Sequence, residues 1–215
     1  MALDLITLTD PRSPVAEAFR TLRTNLMLND TQVLHAVAMT SAAAADGKSE
    51  ALANLAVTFA QSGHKTILVD TDLRRPTQHT IWGVPNESGL MAMISDDTKL
   101  ANPPLIQTKV DNLSVLPSGP VPAIPADVMS SQRLSEIIGL LKARADYVLF
   151  DAPPVLAAAD AALLGSKLDG LLLVVRAGHT RRDHVARARE ALQRVNVSVL
   201  GSVLTNAPRT RMGSY

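Results

Sequence analysis

Short apolar runs alternate with longer amphipathic stretches along almost the whole chain. Val33 to Met39 predicts a buried strand, and Lys48 to Gln61 a helix that stops at Ser62-Gly63. Thr66 to Val69 is a second, β-branched strand that runs into Asp70, and Asn112 to Leu116 is a short third one. Ala126 to Ala143 predicts a helix, with Leu134, Ile137, Ile138 and Leu141 on one apolar face. Tyr147 to Phe150, Gly170 to Val175 and Val197 to Leu204 complete the strands. Between the last two, Thr180 to Val195 predicts an exposed helix that carries Arg181, Arg182, Arg187, Arg189 and Arg194. Near the start, Pro14 just inside Ser13 marks a helix beginning, with Val15, Phe19, Leu22 and Leu26 expected to face inward.

Strands that are apolar on both faces and separated by helices imply an α/β fold: a doubly wound, mostly parallel sheet with helices on both faces. Ligands of such sheets bind outside the carboxyl ends of the strands. The residues after Met39, Val69, Phe150, Val175 and Leu204 are therefore the informative ones. Composition narrows the class. The chain has 215 residues, 47% of them hydrophobic and 3% aromatic, so one core of Leu, Val, Ile and Ala is expected. There is no Cys, which excludes a disulfide scaffold. A net charge of +1 gives no field for nucleic acid, and the arginines of the 180–195 helix are read as a solvated face. Neither a signal sequence nor a membrane-spanning run is visible, so a cytoplasmic protein is expected, held at any membrane by a partner. The five His have no metal-ligand spacing. Trp82, Met91 and Met93 read as packing under the loop after Asp72.

After the first strand comes Thr40-Ser41-Ala42-Ala43-Ala44-Ala45-Asp46-Gly47-Lys48-Ser49-Glu50. Its Gly47-Lys48-Ser49 end fits a phosphate-binding P-loop between a strand and a helix. Backbone N–H groups over Ala45, Asp46, Gly47, Lys48, Ser49 and Glu50 would cradle phosphate oxygens at the helix N-terminus. Lys48 would reach the β- and γ-phosphates, and the Ser49 hydroxyl would ligate Mg²⁺. Ala42 stands at the first glycine position. Should Ala45 need a positive φ, alanine there costs about 1 kcal/mol over glycine. Glu50 places a negative side chain near the phosphates and is expected to weaken the site. Asp70 and Asp72 after the second strand, and Asp151 after Val148-Leu149-Phe150, add three acids at two strand ends. With the loop they form a Mg-nucleotide constellation.

Together these motifs resemble the bacterial tyrosine kinases that regulate capsule and exopolysaccharide synthesis, within the deviant-Walker P-loop ATPases. Residues 63–76, containing Asp70-Thr71-Asp72-Leu73-Arg74-Arg75-Pro76, look like that family's Walker A′ motif; Leu149 to Pro154 looks like its Walker B. Ser118-Gly119-Pro120, Pro122 and Pro125 look like its Pro-rich segment, and Ser13 to Leu26 carries its Glu-x-x-Arg-x-x-Arg pattern as Glu17, Arg20 and Arg23. The resemblance implies one P-loop kinase domain over 1–215, with 1–28 as an oligomerisation helix region and 207–215 as a C-terminal tail. It implies Mg-ATP as cofactor and substrate, with ADP as product. Lys48 would stabilise the transferred charge, Ser49, Asp72 and Asp151 would hold Mg²⁺, Asp70 would be the base and Asn206 would contact adenine. Tyr215 is the expected phospho-acceptor between subunits, because Tyr147 precedes a central strand and is expected to be half-buried core. Glu17, Arg20 and Arg23 would join a ring-like homo-oligomer. A transmembrane activator of the polysaccharide co-polymerase type would hold the protein at the inner face of the membrane.

The chain departs from the family at Ala44, Ala45, Asp46 and Glu50 of the loop and at Ile124 of the Pro-rich segment. Two other functions stay open on the sequence. One is a partition or site-placement ATPase, although the signature Lys of that group is replaced by Ala43. The other is a nucleotide-binding scaffold with a decayed P-loop.

Overall fold

The computed structural model describes residues 4–28 and 33–208. Seven strands form one sheet: β1 (Ala36–Ser41), β2 (Thr66–Asp70), β3 (Ile106–Gln107), β4 (Leu113–Leu116), β5 (Tyr147–Asp151), β6 (Gly170–Arg176) and β7 (Val199–Thr205). Their order is β3-β4-β2-β5-β1-β6-β7, parallel throughout except for the short antiparallel β3 at one edge. The helices are α1 (Ile6–Thr9), α2 (Pro14–Met27), α3 (Lys48–Gln61), α4 (Gln78–Trp82), α5 (Leu90–Ser95), α6 (Asp97–Ala101), α7 (Pro125–Ser130), α8 (Gln132–Lys142), α9 (Asp160–Gly165) and α10 (Arg182–Gln193).

Alternation within each strand supplies two cores. Ala36, Ala38, Ile67, Val69, Val148, Phe150, Leu171 and Leu173 face one side, where α8, α9 and α10 pack. Val37, Met39, Leu68, Leu149, Leu172 and Val174 face the other, against α3 and α2. Helix α3 is apolar nearly all round because it lies between the sheet and α2, and Leu52, Leu55, Ala56 and Phe59 are all buried. The consequence for function is positional. β2, β5 and β1 are neighbours, and Asp70 pairs in register with Asp151. Their carboxyl ends therefore deliver Asp70, Asp151 and the loop after Ser41 to one place.

Four sequence expectations need correction. The first strand is Ala36–Ser41 rather than Val33 to Met39, and Val33 is exposed. The helix expected over Ala126 to Ala143 is two helices: Ser131 is extended (φ −64, ψ 147) and its hydroxyl caps Leu134 N–H, so α8 starts afresh. In α2, Val15 is 47% exposed; Ala16 is buried in its place, beside half-buried Phe19 and Leu22 and buried Leu26. Trp82 and Met93 do not share one packing site, because they belong to the cores on opposite faces of the sheet. Tyr147 is half-buried as expected, with its ring 4.3 Å from that of Phe59.

Candidate nucleotide and metal site

The loop from Ala42 to Gly47 joins β1 to α3 through two left-handed residues, Ala45 at φ 65 and Gly47 at φ 82. A Cβ on Gly47 would meet only Thr205, at ordinary contact distance, so the backbone conformation and not space calls for glycine. Ala45 meets the same demand without that freedom. The first turn of α3 then presents Lys48 and Ser49 to the sheet.

Lys48 Nζ is surrounded by oxygen. It donates to Asp72 Oδ2 at 2.9 Å, Asp151 Oδ1 at 3.0 Å and Ser49 Oγ at 3.1 Å. Burial alone would lower its pKa, but the charges of Asp151 and Asp72 outweigh that and raise it above the ordinary lysine value. Lys48 is thus an internal counter-ion to the two acids. Two carboxylates and a hydroxyl around one positive charge are a hard oxygen set. Mg²⁺ usually takes one or two carboxylates and completes its shell with water and phosphate. No cluster of three or more His, Asp or Glu suited to a metal occurs among the described residues. Ser49, Asp72 and Asp151 are hard oxygen donors of the kind that would suit Mg²⁺.

Asp70 is fully buried beside this cluster, with its carboxylate turned inward. Oδ2 accepts the backbone N–H groups of Thr77 and Gln78, each at 2.9 Å, and Oδ1 accepts Asp72 N–H at 3.2 Å. Burial, followed by repulsion from Asp151, pushes its pKa up to about 8, against the pull of those N–H donors and Lys48.

Other predicted site residues face elsewhere. The Asp46 side chain points away from the cradle: it accepts Ala43 N–H at 3.2 Å and Thr180 Oγ1–H at 2.7 Å, and lies 3.2 Å from His179 Nδ1. Thr205 Oγ1 donates to Asp46 O at 2.8 Å, and Arg176 donates to Ala45 O at 2.8 Å. Glu50 is exposed in the first turn of α3. Asn206 follows β7 in a left-handed conformation (φ 52) and donates to Ala177 O at 3.3 Å. On α2, Glu17 pairs with Arg20 at 2.7 Å, Arg20 also bonds Pro11 O, and Arg23 donates to Thr58 O of α3 at 3.1 Å. Tyr215 lies outside the described residues.

Sequence reasoning missed four contributors. Gln78, wholly buried, touches both Asp151 and the main chain of Ser49. Arg74 makes a two-pronged bond to buried Asp160, at 2.7 and 3.2 Å. His179 and Thr180 hold Asp46. Of these only Arg74 lay inside a recognised motif. No local signal distinguished the others.

With the geometry in hand, likeness to known proteins is informative. The model of the AAA domain family matches residues 35–180. The chain is 37% identical to the tyrosine-protein kinase YwqD of Bacillus subtilis (strain 168), over all of this chain and 91% of that protein. It is 35% identical to the putative tyrosine-protein kinase CapB of Staphylococcus aureus, over 95% of this chain and 90% of that one. The crystal structure of the chimerical protein CapA2B2 superposes with a TM-score of 0.89 at 34% identity, covering 95% of this chain and 90% of that one.

Proposed function

The chain belongs to the bacterial tyrosine-protein kinases, so it is a protein-tyrosine kinase on a P-loop ATPase fold, and from that premise we propose that it is a Mg-ATP-dependent autokinase that modifies Tyr215 of a neighbouring copy. The supporting observation is the Lys48 ammonium ringed by Asp72, Asp151 and Ser49.

In this reading the N–H groups from Ala45 to Glu50 take the phosphates, and Lys48 leaves the acids for the β- and γ-phosphate oxygens. Ser49, Asp72 and Asp151 would hold Mg²⁺, which supplies charge neutralisation on the phosphates when bound. The tyrosine oxygen attacks the γ-phosphorus, the bond from that phosphorus to the ADP oxygen breaks, and the tyrosine proton passes to Asp70. In the empty site burial and the Asp151 charge keep Asp70 protonated up to about pH 8; a cation held by Asp72 and Asp151 would offset that repulsion and favour the ionised form that accepts the proton. Because Asp70 is fully buried, the segment from Thr71 to Thr77 has to move for a tyrosine to reach it. Asn206, exposed after β7, would contact the base. Glu50, close to the phosphates, tempers affinity.

The same reading assigns Glu17, Arg20 and Arg23 to a ring-like homo-oligomer. Exposed Val15 and Met27 on the same helix give that surface apolar area. No helix among the described residues is long and apolar enough to cross a membrane. A transmembrane activator of the polysaccharide co-polymerase type would therefore hold the kinase at the inner face of the membrane, where it regulates capsule or exopolysaccharide synthesis. Nucleic acid is not expected as a partner: at the two ends of α10, Arg181 pairs with Asp183 and Arg194 with Glu190.

The test is phosphotyrosine mass spectrometry after incubation with Mg-ATP, with and without the activator's cytoplasmic segment. Asp70→Asn and Tyr215→Phe chains are each expected to lack signal, and mixing them is expected to restore it. Phosphate on Tyr147, or on no tyrosine with activator present, would favour the scaffold reading.

A further inference from the structure

The geometry points to Gln78 as a positioning residue that fixes which oxygen of Asp151 is free for the metal and reports this through Trp82, the chain's single tryptophan. This inference rests on the nucleotide reading above and deepens it.

Gln78 opens α4 and is wholly buried, so both ends of its amide need partners. Its Nε2 donates to Asp151 Oδ2 at 2.8 Å and to Ser49 O at 3.0 Å. Its Oε1 accepts from Trp82 Nε1 at 3.1 Å. A carboxylate and a carbonyl only accept, and an indole N–H only donates. The amide orientation is therefore dictated by its neighbours, and Trp82 holds it from behind.

The consequence falls on Asp151. Its Oδ2 is taken by Gln78, and its Oδ1 faces Lys48. When Lys48 turns to phosphate, Oδ1 is released while Oδ2 stays tied. The carboxylate cannot swing, because the same Nε2 is anchored to the first turn of α3. Ser49 and Asp151 come from elements far apart in sequence, and Gln78 bridges them. Groups that orient metal-binding side chains in this way typically change metal affinity about 10–100-fold when removed.

Gln78 touches neither phosphate nor tyrosine in this account, so metal dependence is the property to measure. Calorimetry gives ADP affinity in Mg²⁺ and in EDTA for the parent and for Gln78→Met, which keeps the length and removes all three side-chain bonds. We expect the Mg²⁺-dependent gain in ADP affinity to fall about tenfold, with binding in EDTA nearly unchanged. Trp82 emission is the second readout. Mg-ADP should shift it in the parent and leave it unmoved in Gln78→Met. Trp82→Phe, a safer change at a half-buried ring, removes only the bond behind the amide and is expected to cost about threefold of the same gain, less than removing the amide itself. A parent whose ADP binding ignores Mg²⁺ would overturn the nucleotide reading and this inference together. A Mg²⁺-dependent parent matched by a folded Gln78→Met would overturn this inference alone. If Gln78→Met fails to fold, a Trp82→Phe chain with the parent's metal dependence does the same.

Discussion

On its inner side the phosphate loop meets charge. Lys48, Asp72, Asp151 and Asp70 are buried within a few ångströms, and each leans on the others. On its outer side the same loop meets two threonine hydroxyls, the His179 imidazole and the Arg176 guanidinium. Thr180, Thr205, Arg176 and His179, from the ends of β6 and β7 and the turn before α10, hold Asp46 and the carbonyls of Ala45 and Asp46. The inner contacts of Lys48 are side chain to side chain and can be exchanged for ligand. Two of the outer ones grip loop carbonyls and two grip the Asp46 carboxylate, and nucleotide binding has no need to break them. A site that must rearrange around polyphosphate is thus built against a wall that need not move. This division explains why Asp46, inside a phosphate loop, turns its carboxylate away from the phosphates.

The strongest way to break the contrast is Lys48→Met. It removes the cation that pairs with buried Asp72 and Asp151. Breaking a buried ion pair from one side costs about 3–5 kcal/mol, so the apo protein should unfold at markedly lower urea. ADP affinity should largely vanish with the lost charge-assisted contact. Equal ADP binding by calorimetry would show that the inner charges do not serve the ligand.

Asp70→Asn probes the inner side through pH. The folded pKa of Asp70 is about 8 against an ordinary value of 3.8. The folded state therefore keeps a proton that the unfolded chain releases. The stability this contributes is complete below pH 3.8 and is lost as pH rises through 8, at a slope of up to about 1.4 kcal/mol per pH unit. Melting temperature should fall across that window in the parent and fall less steeply in Asp70→Asn. The variant should also lack phosphotyrosine while binding ADP. Parallel melting curves from pH 5 to 8 would remove Asp70 as the titrating group.

The outer wall is tested by Asp46→Ala. The change leaves Thr180, His179 and Ala43 N–H without their acceptor, which costs about 1–3 kcal/mol. ADP affinity should drop in Mg²⁺ and in EDTA alike, because the loop loosens while the metal donors stay intact. A loss confined to Mg²⁺ would place Asp46 on the inner side after all.

How much of this could be read from sequence follows the same division. The inner acids sit at strand ends inside short motifs, so alternation plus spacing located Lys48, Ser49, Asp70, Asp72 and Asp151. The direction in which each side chain points was not legible. Asp70 turns to N–H groups seven and eight residues on, which depends on how α4 folds back. The outer wall was invisible because Asp46 and Thr180 are 134 residues apart and share no motif. Gln78 escaped for the same reason, since Asp151 is 73 residues away. The break at Ser131 was missed because the apolar spacing of Leu134 to Leu141 gives no warning of where the helix begins. Val15 was misplaced by one position because Ala16, small enough to be buried completely, carries little weight in a hydrophobic pattern.

The smallest expected effect lies where the two sides meet. Ala45 is held at φ 65, a region that costs an L-residue about 1–2 kcal/mol. Arg176 grips its carbonyl from outside, while its N–H is one of those assigned to phosphate. Ala45→Gly removes the backbone strain but adds freedom to the unfolded chain, worth about 0.4–1 kcal/mol in the opposite sense. The two terms partly cancel, leaving about 0–1.6 kcal/mol in favour of glycine and a melting temperature raised by about 6 °C at most. Binding is the sharper measure, since both folded forms start from the same wall. If Ala45 is already in the bound conformation, ADP affinity in Ala45→Gly should stay within about twofold of the parent. A tighter complex would mean that the loop must still shift to accept phosphate, and that the outer wall yields with it.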